Sequence, residues 1–97
     1  MAYYCYMVRC ANGALYTGWT TDPFRRLKQH NAGQGARYTR MNAPSELVYV
    51  EAMEDRIAAM KRELQIKAYT PSKKAALCDM ESNILLDLLT LRDTDNQ

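Results

Sequence analysis

Apolar and polar positions along the 97-residue chain fall into short runs set off by turn residues, with no internal repeat and no low-complexity tract. Aromatic and β-branched residues crowd Tyr3 to Cys10 and again Ala14 to Gly18, which predicts two strands joined through Asn12-Gly13 as a hairpin. Thr21-Asp22-Pro23 then supplies an N-cap and a proline at the first helical position, with Phe24 and Leu27 as apolar contacts, for a helix from Pro23 to about Asn31. Asn31 to Pro44 holds Gly33, Gly35 and the exposed types Arg37, Tyr38 and Arg40, and reads as a long surface loop. Leu47-Val48-Tyr49-Val50 is the third strand, with Glu46 and Glu51 at its ends. A helix follows over about Asp55 to Ala68, its apolar stripe formed by Ile57, Met60 and Leu64. Thr70-Pro71 closes it and caps the next helix, Ser72 to about Asp79; Asn83 to Leu91 is a final apolar helix, and Arg92 to Gln97 a frayed polar tail. The expected architecture is α/β in the α+β sense: a small three-stranded antiparallel sheet that starts with a hairpin, flanked by helices, in a single domain over residues 1–97.

The hairpin has two candidate registers. A two-residue loop, Asn12-Gly13, pairs Arg9 with Tyr16 and sends Tyr6 and Tyr16 to opposite faces. A three-residue loop, Ala11-Asn12-Gly13, with Gly13 left-handed, pairs Val8 with Tyr16 and puts both phenols on one face. The second register is predicted if the tyrosines act together.

Composition narrows the class. With 47% hydrophobic and 25% charged residues the chain suits one small core and excludes a multidomain enzyme. Three cysteines, Cys5, Cys10 and Cys78, with no close Cys-x-x-Cys pair, suggest neither a disulfide framework nor a thiolate zinc site, and are expected to be reduced and mostly buried. No apolar run approaches the roughly 18 residues of a membrane span, and the start lacks signal-peptide character, so a soluble, cytoplasmic protein without membrane contact is expected. The net charge of +2 conceals an asymmetry: residues 1–44 carry Arg9, Arg25, Arg26, Lys28, Arg37 and Arg40 against Asp22 alone, whereas residues 45–97 carry seven basic and ten acidic residues. A basic half is what a polyanion partner selects, because neutralised phosphates release counterions. A lopsided but idle surface is the alternative on charge alone.

No Walker loop, Gly-x-Gly-x-x-Gly, His-Glu-x-x-His or Gly-x-Ser-x-Gly is present. What remains is an ordered set, Tyr6, Tyr16-Thr17-Gly18, Arg26, His30 and Glu63. Arg26 and His30 are four apart and share a helix face. Taken singly, each has a plain structural meaning: strand tyrosines pack, Glu63 and Lys67 form an i,i+4 surface pair, His30 caps a helix end, Trp19 is core, and Met53, Met60 and Met80 fill gaps. Their joint order and spacing resemble the GIY-YIG endonuclease superfamily. Tyr4-Cys5-Tyr6 stands where Gly-Ile-Tyr is expected and Tyr16-Thr17-Gly18 where Tyr-Ile-Gly is. Arg26 falls at the family arginine, His30 follows on the same helix, and Glu63 in Lys61-Arg62-Glu63-Leu64 falls at the family glutamate. His30-Asn31-Ala32-Gly33, Gly35-Ala36-Arg37-Tyr38-Thr39-Arg40 and Leu47-Val48-Tyr49 further resemble its small stand-alone bacterial branch, over residues from about 3 to 78. Tyr4 and Cys5 depart from the pattern at positions that supply no catalytic atom; Trp19 after Gly18 and Ser72-Lys73 after Pro71 depart at the substrate-binding rim, where several relatives carry a lysine or other polar residue and an asparagine.

The resemblance implies hydrolysis of DNA phosphodiesters, structure-specific and linked to repair or recombination, with one divalent ion, Mg²⁺ or Mn²⁺, held by Glu63. Tyr16 would position the attacking water and take its proton, Tyr6 would orient that water or a phosphate oxygen, and Arg26 would fork onto nonbridging oxygens. His30 would relay a proton or bind phosphate. Arg25, Lys28, Arg37, Tyr38, Arg40 and Lys67, with Arg62 extending the surface, would contact nucleic acid. A second reading stays open: a noncatalytic nucleic-acid-binding or interaction module on the same fold. The apolar Asn83 to Leu91 segment, if it lacks an internal partner, points to a homodimer or a protein partner.

Overall fold

In the computed structural model, which describes residues 1–95, the chain opens with two antiparallel strands, β1 (Tyr3–Arg9) and β2 (Leu15–Thr20). Cys10 donates its backbone N–H to Ala14 O at 2.9 Å and Gly13 donates to Cys10 O at 2.8 Å, closing a three-residue loop with Gly13 at φ 87°. Val8 therefore faces Tyr16 and Tyr6 faces Gly18, the register that puts both phenols on one side. Strand β3 (Glu46–Met53) is longer than its four-residue apolar run and pairs antiparallel with the other edge of β1, giving the order β2-β1-β3. Val48 is an extra residue between the Val8–Leu47 and Met7–Tyr49 pairs, so β3 bulges there.

Because strand side chains alternate, β1 serves two cores. Cys5 and Met7 join Tyr49 on one face, covered by α3 (Arg56–Lys67) and α4 (Pro71–Leu77). Tyr6 and Val8 join Leu47 and Val50 on the other, covered by α1 (Pro23–Asn31) and α5 (Leu85–Asp95). The Asp22 carboxylate accepts from Arg25 N at 3.1 Å, the cap that starts α1.

Four expectations need correction. The stretch expected as a loop contains a short helix, α2 (Arg37–Met41), whose start at Ala36 has no side-chain cap. It forms because Thr39 is buried beneath it, and a tertiary anchor leaves no periodic trace in five residues. On α3 the stripe Ile57, Met60 and Leu64 faces outward, at 64%, 44% and 67% exposure, while Ala59 and Ile66 are buried. The small Ala59 lets the helix approach until Cys5 Sγ donates to Ala59 O at 3.1 Å, and Arg62 takes the next inward position because a carboxylate waits there. Among the methionines, Met60 and Met80 are likewise exposed rather than filling gaps. Finally, α5 begins at Leu85 and runs on through Arg92 to Asp95, where a frayed tail is expected; residues 96 and 97 of that tail lie outside the described residues.

Helix α5 also has an internal partner. Ile84, Leu85 and Leu88 pack on the Tyr6–Val8–Leu47–Val50 cluster, and Arg92 lies 4.1 Å from the Phe24 ring centroid. The Asn83 amide pins its start: Oδ1 accepts from Val50 N and Leu85 N at 3.1 Å, while Nδ2 donates to Val48 O at 3.1 Å and Cys78 O at 2.9 Å. Trp19 is half-buried against the Cys5–Met7 core, and all three cysteines are free, Cys5 and Cys10 buried. No helix among the described residues is long and apolar enough to cross a membrane.

Candidate active site

The hairpin register determines the site. Tyr6 and Tyr16 project from the same face, and Gly18 sits directly across from Tyr6. A Cβ at Gly18 would lie 2.6 Å from the Tyr6 hydroxyl, so only glycine lets that ring lie across β2. Helix α1 brings His30 down onto the pair. Tyr6 Oη is 2.9 Å from His30 Nε2, and the Tyr16 ring meets the imidazole edge-on at 5.6 Å. Tyr6 and His30 are almost wholly inaccessible, whereas Tyr16 is half-buried, which leaves Tyr16 as the phenol that solvent reaches.

Behind the histidine, Thr39 Oγ1 lies 2.7 Å from Nδ1. The chain between α1 and α2 crosses so close that a Cβ on Gly35 would stand 2.2 Å from that same nitrogen. Both ring nitrogens are thus engaged inside the protein. His30 is neither a helix cap nor open to a phosphate; it backs Tyr6 from behind. Sequence reasoning missed Gly35 and Thr39 as parts of the site, since neither type signals chemistry and only their place in the phrase Gly35 to Arg40 set them apart.

Electrostatics tie the other two candidates to this core. Burial pushes the Tyr6 phenol up to about 12, against the pull of the nearby Arg26 guanidinium; the Glu63 charge acts on it too, upward. Burial, then the Arg26 charge, lowers the pKa of His30, favouring neutral imidazole. Arg26 is half-buried one turn before His30, with Nη1 donating to Gln29 Oε1 at 3.0 Å. Arg26 also lines a polar cavity of about 160 Å³ with Thr20, Thr21, Asp22, Arg25 and Gln29. Across the sheet edge, Lys67 Nζ is 3.4 Å from Glu63 Oε1 and 5.9 Å from the Tyr16 ring centroid, which sets the glutamate end of α3 beside the tyrosines.

The remaining candidates divide. Arg25, Lys28 and Arg37 are exposed cations, and Tyr38 is 44% exposed with its hydroxyl accepting from Asn12 Nδ2 at 3.0 Å. The Arg40 side chain lies outside the described residues. Arg62 is not part of that surface: Nε and Nη2 fork onto the two Glu51 oxygens at 3.0 and 3.1 Å, and Nη1 reaches Tyr69 Oη at 3.2 Å. Tyr49 donates to the same carboxylate, so Arg62 is the counterion of a half-buried network.

Among the described residues no three His, Cys, Asp or Glu side chains converge as a metal cage. A lone carboxylate such as Glu63 nevertheless fits Mg²⁺, which keeps several waters and binds through one or two carboxylates plus substrate phosphates.

The chain is similar to known proteins over most of its length. A family model described as the GIY-YIG catalytic domain matches residues 2–76. The UPF0213 protein HQ_3675A of Haloquadratum walsbyi is 48% identical over 82 residues, covering 84% of this chain and 92% of that protein. A UPF0213 protein of Staphylococcus aureus is 46% identical over 76 residues, 78% and 93% of the two chains. The solution structure of the UPF0213 protein BH0048 from Bacillus halodurans superimposes with a TM-score of 0.54 at 39% identity, over 84% of this chain and 87% of that one.

Proposed function

We propose, because the chain belongs to the GIY-YIG catalytic-domain family, that it is a nuclease that hydrolyses DNA phosphodiesters with the help of a divalent ion. The observation that carries this reading is the cluster itself: Tyr6 bonded to His30, Tyr16 against the same imidazole, Arg26 one turn before His30 on α1, and Glu63 joined to the Tyr16 ring through Lys67. Water attacks phosphorus, one P–O ester bond breaks, and the products are a phosphate monoester and a hydroxyl end. Tyr16, the accessible phenol, holds the attacking water and accepts its proton, while Tyr6 orients that water from within the wall. Arg26 presents its guanidinium to nonbridging oxygens, whose charge grows in the transition state. Glu63 is the residue that would hold Mg²⁺ or Mn²⁺, and the bound ion supplies Lewis-acid stabilisation of the phosphoryl charge. Arg25, Lys28, Arg37, Arg40 and Lys67 track the DNA backbone, with Tyr38 offering a ring for a base.

The test is cleavage of linear, nicked, flapped and four-way DNA with Mg²⁺ or Mn²⁺ by the parent, Glu63→Gln and Arg26→Ala. Cutting by the parent alone, at equal folding, supports the assignment, and the preferred substrate reports any link to repair or recombination. If both variants cut like the parent, the site is misassigned. If none cuts yet all bind in a salt-sensitive way, the binding-module reading replaces it. Pairing of two copies through the outward Leu86, Leu89 and Leu91 is read by sedimentation.

A further inference from the structure

The buried chain behind Tyr6 has one direction in which every contact along it is a hydrogen bond. Ala36 O can only accept a hydrogen bond, and Thr39 Oγ1 stands 2.9 Å from it, so the single hydroxyl proton of Thr39 points at that carbonyl. Thr39 Oγ1 is then left with lone pairs toward His30 Nδ1, 2.7 Å away, and that nitrogen must carry the proton. A neutral imidazole protonated at Nδ1 has a bare Nε2, and the partner of Nε2 at 2.9 Å is the Tyr6 hydroxyl, which must donate to it.

We propose that Thr39 is a positioning residue that holds His30 as the Nδ1–H tautomer and thereby turns the Tyr6 phenol into a pure acceptor toward the reaction site. Its proton is committed to His30, so only lone pairs are left for any other partner. Such an oxygen takes a hydrogen bond from a water or from Arg26 but offers none to an anionic phosphate oxygen. The inference rests on the nuclease reading and sharpens it: of the two partners open to Tyr6, water and phosphate, it selects water. Three features support it independently of any catalysis. Thr39 and His30 are fully buried, Gly35 is the residue type that permits their approach, and the short α2 has no cap of its own to justify a threonine at this place. Burial and the Arg26 charge both keep the imidazole neutral, and the other ionisable group facing it, Tyr16, meets it through ring edges.

His30 is the only histidine in the chain, so its ring gives an unambiguous NMR signature. Long-range ¹H–¹⁵N correlation of the full-length protein near pH 7.5 tells a protonated ring nitrogen from a bare one. The expected result is protonated Nδ1 and bare Nε2 in the parent and in Thr39→Ser, with Thr39→Val losing that pattern. Cleavage by Thr39→Val should fall roughly tenfold to a hundredfold through kcat with KM little changed, as when partners that orient a working histidine are removed, and Thr39→Ser should restore it. A parent ring protonated at Nε2 overturns the proposal without any variant, as does an unchanged ring in Thr39→Val. If Thr39→Val does not fold, the parent spectrum decides. The spectrum needs no substrate, so a correct tautomer in a protein that cuts no DNA refutes the nuclease reading and not this one.

Discussion

Gly35→Ala is the perturbation for which the structure supplies the clearest number. The added methyl carbon would stand 2.2 Å from His30 Nδ1 and 2.9 Å from both His30 Cα and Cγ, where ordinary contact begins near 3.4 Å. Relief requires a shift of more than an ångström. Two of the three atoms belong to the backbone or the ring root, so no side-chain tip can simply swing away. Moving the imidazole stretches the 2.9 Å bond to Tyr6, and moving the loop carries Thr39 away from its 2.7 Å hydrogen bond. Overpacking of this kind costs about 1–3 kcal/mol, and a buried polar group left without its partner about 1–3 kcal/mol more. The variant should therefore lose roughly 2–6 kcal/mol, a large part of the ~5–15 kcal/mol expected for a domain of this size. Urea denaturation followed by circular dichroism measures it, with Gly13→Ala as the control. At Gly13 nothing stands within 4 Å of the added carbon, and only the left-handed backbone, worth about 1–2 kcal/mol, is disturbed. A Gly35→Ala variant within about 0.5 kcal/mol of the parent would refute the account of how the loop clamps His30.

Three other outcomes follow from the same geometry. DNA affinity should fall steeply with salt, and Arg25→Ala with Lys28→Ala should flatten the log–log slope by roughly one for each phosphate that is no longer neutralised; an unchanged slope removes the exposed face of α1 from the interface. Arg62→Met should lower stability by about 1–3 kcal/mol, as the Glu51 carboxylate loses its charged partner, yet leave DNA affinity intact; a weakened complex at equal folding would return Arg62 to the binding surface. Cys5, Tyr6 and Tyr49 are each pushed up to about 12, from 9.0 for the thiol and 10.0 for the phenols, chiefly by burial. The folded state thus holds protons that the unfolded chain releases, so their stabilisation is complete below about pH 9 and is lost as pH rises through 12; stability that stays flat from pH 9 to 12 contradicts that burial.

How much was legible beforehand differs element by element. The hairpin was readable to its register, because Asn12-Gly13 constrains the loop and a requirement that two phenols act together chooses between two alternatives. Helix α1 was readable to the residue, since its cap, its proline and its end are local signals. Helix α3 was readable in extent but not in orientation. Hydrophobicity pointed to Ile57, Met60 and Leu64, yet the inward face is chosen by the small Ala59 against Cys5 and by Glu51 waiting for Arg62, both partners far away in the chain. Helix α2 was illegible, being five residues long and held by one buried threonine.

What the sequence alone determined is the set of candidate groups: the ordered tyrosines, arginine, histidine and glutamate, the strands and helices that carry them, and the basic first half. Those follow from residue type and short-range spacing, which the linear chain contains. What only the tertiary structure decided is which of those groups meet solvent and which partners each one contacts. Tyr16 is accessible while Tyr6 is sealed against His30, Arg62 is spent on Glu51, and Thr39 lies behind the imidazole. Burial and contact partners depend on what packs from the other side of the sheet and from the next loop, and such neighbours are set by the closed fold rather than by any window of sequence.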